Sequence, residues 1–174
     1  FNIPRFVLIN KMDRDNADFQ KALATVQRLS EVRLLPVQLP WGEKQDFQGV
    51  IDLLSMKAYA GTGTTAAEIP SDLLEDAEAA QNELIEAAAE GEDELLMKYL
   101  EGEALDAAEI MRGLVAVFRS GSYIPVFVAA GTAEIGLAPL LQALIELMPS
   151  PADIPPITAA GKAGDVELTA SDAG

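Results

Sequence analysis

The chain has 174 residues, 49% of them hydrophobic and 23% charged, the profile of a globular protein with enough apolar material for one substantial core. It contains no cysteine and no histidine, which excludes disulfides, thiolate nucleophiles, imidazole acid–base chemistry and the usual zinc ligand sets. The formal charge of −16 is local: residues 66 to 109 carry 15 of the 28 acids and a single base, Lys98, whereas residues 1 to 33 carry six bases against four acids.

Phe1 opens the chain with no basic-then-apolar leader, which predicts no signal peptide and a fragment of a longer protein. Phe6 to Ile9 predict a short buried strand, bounded by Pro4 and by the polar tetrapeptide Asn10-Lys11-Met12-Asp13. Phe19, Leu23, Val26 and Leu29 recur at helical spacing after Asp15-Asn16, a plausible N-cap, and predict an amphipathic helix. Leu34 to Leu39 read as extended, with Pro36 and Pro40 placing them at an edge or in a short strand. The first 40 residues therefore read β-α-β.

Residues 47 to 60, FQGVIDLLSMKAYA, predict one or two antiparallel strands closed by the GTGTT turn at 61 to 65. Pro70-Ser71 starts a helix with an apolar stripe of Leu73, Ala77, Ala80, Leu84 and Ala88, stopped at Gly91. Leu95, Leu96, Tyr99 and Leu100 mark a shorter helix ending at Gly102, and Asp106 with Glu109 forms a capping-box pattern ahead of Ile110, Leu114, Val117 and Phe118. The acidic outer faces of this section repel phosphate backbones, so direct nucleic-acid binding is not expected. A basic protein partner and a merely solvated surface both stay open.

IPVFV at 124 to 128 predicts a second buried strand, 129 to 136 a loop, and Leu137, Leu140, Leu141, Leu144, Ile145 and Met148 a helix stopped by Pro149-Ser150-Pro151. Residues 152 to 174, rich in Pro, Gly, Ala and Asp, read as a linker or tail with little core of its own. No internal repeat is visible. No apolar run approaches the roughly 20 residues that span a bilayer, so no membrane partner is expected and the expected address is cytoplasmic.

The carboxyl end of a parallel strand is where α/β proteins place ligands, which gives the tetrapeptide at 10 to 13 its interest. Guanine presents two adjacent donors, its ring N1–H and its exocyclic amine, and one carboxylate offers two acceptors at matching spacing, so Asp13 can accept both. Adenine would leave that carboxylate unpaired. The aliphatic stem of Lys11 can lie over the face of a base, and the Asn10 amide can tie neighbouring loops together. Against this stands the plain alternative that Asn, Lys and Asp are ordinary turn formers at a strand end.

FVLINKMDRDNADF, LPVQLPWGEKQDFQGVIDLLSMKAYA, SDLLEDAEAAQNELIEAAAEGEDELLMKYLEGEAL and APLLQALIELMPSPAD together resemble bacterial elongation factor G, the ribosomal translocase, from about residue 3 to about residue 157. The resemblance implies an α/β fold: part of a P-loop GTPase (Rossmann-like) domain lacking its N-terminal strands, with an inserted α+β subdomain. It divides the chain into 1 to 40 and 122 to 151 (GTPase domain), 41 to 121 (insert) and 152 to 174 (linker towards the next domain).

It assigns guanine recognition to Asn10, Lys11 and Asp13. Alignment on Pro125 and Pro139 places the family's Ser-Ala pair, whose backbone amide meets the guanine carbonyl oxygen, at Ala130 and Gly131; there the sequence departs and the serine hydroxyl is lost. The family's phosphate loop G-x-x-x-x-G-K-[ST], its upstream metal-binding threonine and its water-positioning histidine have no counterpart in these 174 residues. The implied function is base recognition within a GTPase that couples GTP hydrolysis to ribosomal translocation. GTP/GDP would be the ligand, with Mg2+ bound only in the full-length parent, and the fragment alone would be inactive.

The implied partners are the ribosome and, through the acidic insert, its stalk protein. Two alternatives stay open: a paralogue acting mainly as a ribosome-associated binding or regulatory module, and a release-type or ribosome-protection GTPase. Pairing of the strand at 6 to 9 with that at 124 to 128 would leave an exposed sheet edge, for which the expected compensation is either self-association through that edge or a disordered N-terminus.

Overall fold

The structure, a computed structural model, describes residues 3 to 150, 152, 156 to 161 and 164 to 170. β1 (Val7–Ile9) leads through α1 (Phe19–Leu29) to β2 (Arg33–Pro36), and both strands lie parallel to a third, Tyr123–Val128, placed between them. Val7 stands opposite Val126, and Leu34 opposite Ile124. All six residues of the central strand are buried, as expected of a parallel strand covered on both faces. Its side chains alternate: Ile124, Val126 and Val128 pack with Ile9, Met12, Phe19 and Leu34, while Tyr123 and Phe127 pack with Leu84, Leu114, Phe118 and Leu140.

The stretch expected to be extended from 34 to 39 is two strands in two sheets. After β2, Val37 donates its amide to Val126 O (2.9 Å) and accepts from Leu53 N (3.1 Å), joining the sheets on either side of one residue. β3 (Gln38–Trp41), β4 (Gly49–Asp52), β5 (Lys57–Ala60) and β6 (Ala66–Ala67) then form an antiparallel meander. Fully buried Gln38 turns its Oε1 back to accept from Val128 N at 3.4 Å, continuing with a side chain the ladder that β2 abandons. β4 contributes Val50 to one core and Ile51 to the other, so the meander shares both cores with the parallel sheet.

α2 (Leu74–Ala89), α3 (Asp93–Leu100) and α4 (Ala107–Ser120) follow. Pro70 to Leu73 form a turn rather than the expected first helical turn, closed by Leu73 N donating to Pro70 O at 2.9 Å. α2 buries Ala77, Leu84, Ala87, Ala88 and Ala89 and exposes Glu75, Asp76, Glu78, Glu83 and Glu86. Its alanines admit α4 closely: a Cβ on Gly113 would lie 2.1 Å from Ala88 O. The capping box is present, with Glu109 N donating to Asp106 Oδ1 (2.9 Å) and Asp106 N to Glu109 Oε2 (2.8 Å). Lys98, the single base of the acidic block, is held 2.7 Å from Glu109 Oε2. That pairing raises the Lys98 pKa and lowers that of Glu109.

β7 (Tyr123–Val128) follows Gly121, which ends α4 in the left-handed conformation (φ 75°), and α5 (Leu137–Leu147) completes the packing. Several apolar residues expected in the helices face outward instead, Leu100 at 70% exposed among them. Leu29 is 86% exposed because α1 buries only Phe19 fully, and Leu141 and Ile145 are exposed because α5 packs through Leu140, Ala143 and Leu147. The expected tail contains an antiparallel hairpin, β8 (Ile157–Gly161) with β9 (Gly164–Leu168), almost wholly exposed and so without a core, in keeping with its composition. Residues 153 to 155, 162, 163 and 171 to 174 of that tail lie outside the described residues.

Asp52 at the end of β4 is buried and accepts from Ser55 N at 2.9 Å and from the Ser55 hydroxyl. Burial raises its pKa above the ordinary carboxylate range, against the lowering effect of Ser55. A raised folded pKa stabilises the fold below the unfolded value and loses that contribution as pH rises through the folded one. Urea midpoints measured from pH 3 to pH 7 are therefore expected to move in favour of Asp52→Asn relative to wild type as pH rises above the ordinary aspartate range. A difference that is flat across that window would contradict the assignment.

Candidate functional site

The site begins where β1 runs out. Asn10 Oδ1 accepts from Lys11 N at 2.7 Å and from Gly131 N at 2.9 Å, so one side-chain oxygen bends its own loop and fastens it to the loop after β7. Lys11 takes a left-handed backbone (φ 65°), uncommon outside glycine and found where surrounding bonds hold it. Met12, 1% exposed, anchors the turn in the core; its N donates to Ala129 O (3.3 Å) and its O accepts from Lys44 N (2.8 Å). Arg14 N closes the turn on Lys11 O at 3.1 Å.

With Met12 inward, its neighbours sit at the surface. Lys11 is exposed, and the Asp13 side chain is 30% exposed with its Oδ1 4.0 Å from Arg14 Nε, too long to occupy the carboxylate. Asn10 Nδ2 makes no hydrogen bond among the described residues, leaving one donor beside an open carboxylate.

The second loop is built on an exchange of amides between Ala130 and Ile135, N to O 3.0 Å and 3.2 Å in the two directions. A short 3-10 turn, Gly131–Ala133, lies inside it. Ala130 is fully buried behind the loop with its amide on Ile135, whereas Gly131 faces Asn10. A Cβ on Gly131 would stand 3.4 Å from Asn10 Oδ1, at the near limit of ordinary contact, so glycine instead of alanine there changes little in shape. Asn10, Lys11, Asp13 and Gly131 are thus brought together at the carboxyl edge of the parallel sheet. Ala130 supports them from beneath.

Sequence reasoning missed the turn between β3 and β4. Glu43 Oε1 accepts from Phe19 N (2.8 Å), Lys44 N reaches Met12 O, and Gln45 Nε2 lies 3.4 Å from Asp15 Oδ1. Charged residues in a turn carry no sequence signal for such contacts; Gly42 with its φ of 78° marks only the turn itself.

The loop after β1 thus presents two acceptors on Asp13 and a donor amide on Asn10. Among the described residues no three His, Cys, Asp or Glu side chains form a metal-holding group. No helix is long and apolar enough to cross a membrane among the described residues.

Comparisons with known proteins give the family. Elongation factor G of Thermotoga petrophila is 42% identical over 162 residues, 90% of this chain and 23% of the relative. Elongation factor G of Fervidobacterium nodosum is 38% identical over 170 residues, 95% of this chain and 25% of the relative. A crystal structure from Thermus thermophilus aligns with a TM-score of 0.77 at 27% identity, covering 96% of this chain and 30% of the other. The chain thus spans about a quarter of the length of the curated relatives it matches. Residues 1–150 match the family model described as "Elongation factor Tu GTP binding domain". With that match running through both loops of the site and most of the chain, the protein belongs to the family of elongation factor Tu GTP binding domains and is a partial GTPase domain of the translational type.

Proposed function

We propose that this chain is the guanine-reading part of a translational GTPase whose full-length form couples GTP hydrolysis to movement on the ribosome in the cytoplasm. The observation that carries the reading is the double hold of Asn10 Oδ1 on Lys11 N and Gly131 N, which sets the Asp13 loop and the loop after β7 along one edge. There the Asp13 carboxylate accepts from guanine N1–H and the exocyclic amine, and Asn10 Nδ2 donates to the ring nitrogen on the five-membered side. The Lys11 stem covers the base face, and the Gly131 amide shares its hydrogen between Asn10 and the guanine carbonyl oxygen.

When bound, GTP supplies the phosphoryl bond to be broken. The phosphate-holding and Mg2+-holding groups belong to the full-length protein outside these residues, so this chain alone contributes specificity and no hydrolysis. The outward acids of α2 are the surface assigned to a ribosomal stalk protein. The outer edge of β1 is the place for a further strand, from elsewhere in the protein or from a second copy.

Titration of the full-length protein with fluorescent GDP, GTP, ADP and ATP tests the reading. Guanine nucleotides are expected to bind at least about a hundredfold more tightly than adenine nucleotides, the discrimination of a site built to hydrogen-bond its base. Equal affinities would overturn it.

A further inference from the structure

The turn at 42 to 46 belongs to the antiparallel sheet, yet among the described residues its outward polar contacts go to the segment that carries Asp13. Its own shape is tightly specified. Gly42 has φ 78° and a Cβ there would lie 2.0 Å from Asp46 O, Lys44 has φ 58°, and Phe47 anchors the far end in the core that holds Met12 and Phe19. Asp46 N returns to Glu43 O at 3.0 Å and Phe47 N to Lys44 O at 3.3 Å. A turn closed on itself and anchored in this way can act as a fixed post.

Two adjacent residues of that post hold the two ends of the segment from Met12 to Phe19. Lys44 N donates to Met12 O, and Glu43 Oε1 accepts from Phe19 N, each at 2.8 Å. Phe19 is the first residue of α1, and the N-cap Asp18 spends its carboxylate on Lys21 N. The Phe19 amide is one of the first-turn donors a helix leaves without an internal partner, and Glu43 satisfies it with an anion at the positive end of the helix. Between the two held ends lies Asp13. Gln45 adds a contact to Asp15 midway.

We propose that Glu43 is a positioning residue for the guanine-reading loop: it touches no base itself, and it fixes the reach of Asp13 by tying the start of α1 to the turn that also holds Met12. The proposal rests on the reading of Asp13 given above. It also makes the antiparallel sheet part of the base site, so that displacement of that sheet alters nucleotide affinity.

The test uses three forms of the full-length protein, wild type, Glu43→Ala and Glu43→Gln, with two readouts. Glu43→Ala is expected to weaken GDP binding about tenfold, the scale of one net charge-assisted hydrogen bond. Glu43→Gln, whose amide oxygen still accepts from Phe19, is expected to restore affinity to within about threefold. The ratio of guanine to xanthine nucleotide affinity stays at the wild-type value in both, because Asp13 is intact. Hydrogen–deuterium exchange of peptides covering residues 10 to 19, with nucleotide absent, is expected to speed up in Glu43→Ala while peptides covering β7 keep their protection. Wild-type exchange at 10 to 19 in Glu43→Ala, or a Glu43→Gln variant as impaired as Glu43→Ala, would overturn the proposal. Should wild type show no guanine preference at all, the functional reading falls, and the exchange comparison alone still decides whether Glu43 positions the loop.

Discussion

Asp13→Asn in the full-length protein is expected to weaken GDP and GTP binding by about a hundredfold or more and to turn the preference towards xanthine nucleotides. The wild-type carboxylate offers two acceptors to two guanine donors. Replacing one oxygen with an amine sets a donor against a donor, which removes a charge-assisted bond and leaves a desolvated group unpaired. The lost bond is worth roughly 1.5 to 3 kcal/mol and the unpaired group roughly 1 to 3 kcal/mol, a sum that reaches the roughly 2.7 kcal/mol of a hundredfold change. Xanthine carries a carbonyl where guanine carries the exocyclic amine, and that carbonyl accepts from the new amide. Competition titrations with GDP and XDP measure the switch, and Asp13→Ala serves as the comparison that loses guanine without gaining xanthine. An unchanged ratio of the two affinities in Asp13→Asn would remove Asp13 from the base edge.

The largest expected loss of stability comes from a residue remote from the site. Gly113→Val should lower stability by about 3 kcal/mol, because the first added carbon already falls 2.1 Å from Ala88 O and 2.7 Å from Ala88 C. Both atoms are backbone and cannot rotate away. α2 and α4 must separate, opening the core in which Leu84, Ala87, Ala88, Leu114 and Phe118 meet. For a chain of this size the loss corresponds to a fall of about 6 to 12 °C in Tm. Ala108→Val, at an exposed position of the same helix, changes only helix propensity and should cost less than about 1 kcal/mol. Equal shifts in the two variants would show that the close approach of the helices is not the cause.

The capping box at Asp106 and Glu109 and the pairing of β1 with β7 were legible because each is written in adjacent residues or in a run too apolar to sit anywhere but inside. The clustering of Asn10, Lys11 and Asp13 was legible for the same reason. The Gly113 contact was not, since small residues declare a helix crossing only once the partner helix is known. β6 is two exposed alanines, and the β8–β9 hairpin buries almost nothing, so neither leaves a hydrophobic period to read. The split at Val37 escaped because a strand continuing and a strand changing sheets have the same local pattern. The Glu43 contact was invisible because its partner, Phe19, lies 24 positions away.

The Val37 junction bears on how motion travels. A single residue donates to β7 and accepts from the strand end beyond β4, and the next side chain, Gln38, returns to β7 again. No slack segment separates the two sheets, so neither can slide against the other without breaking bonds on both sides of the same residue. A push on the antiparallel sheet would therefore reach the loops after β1 and β7 as the tilt of a stiff lever, with β7 as its axle.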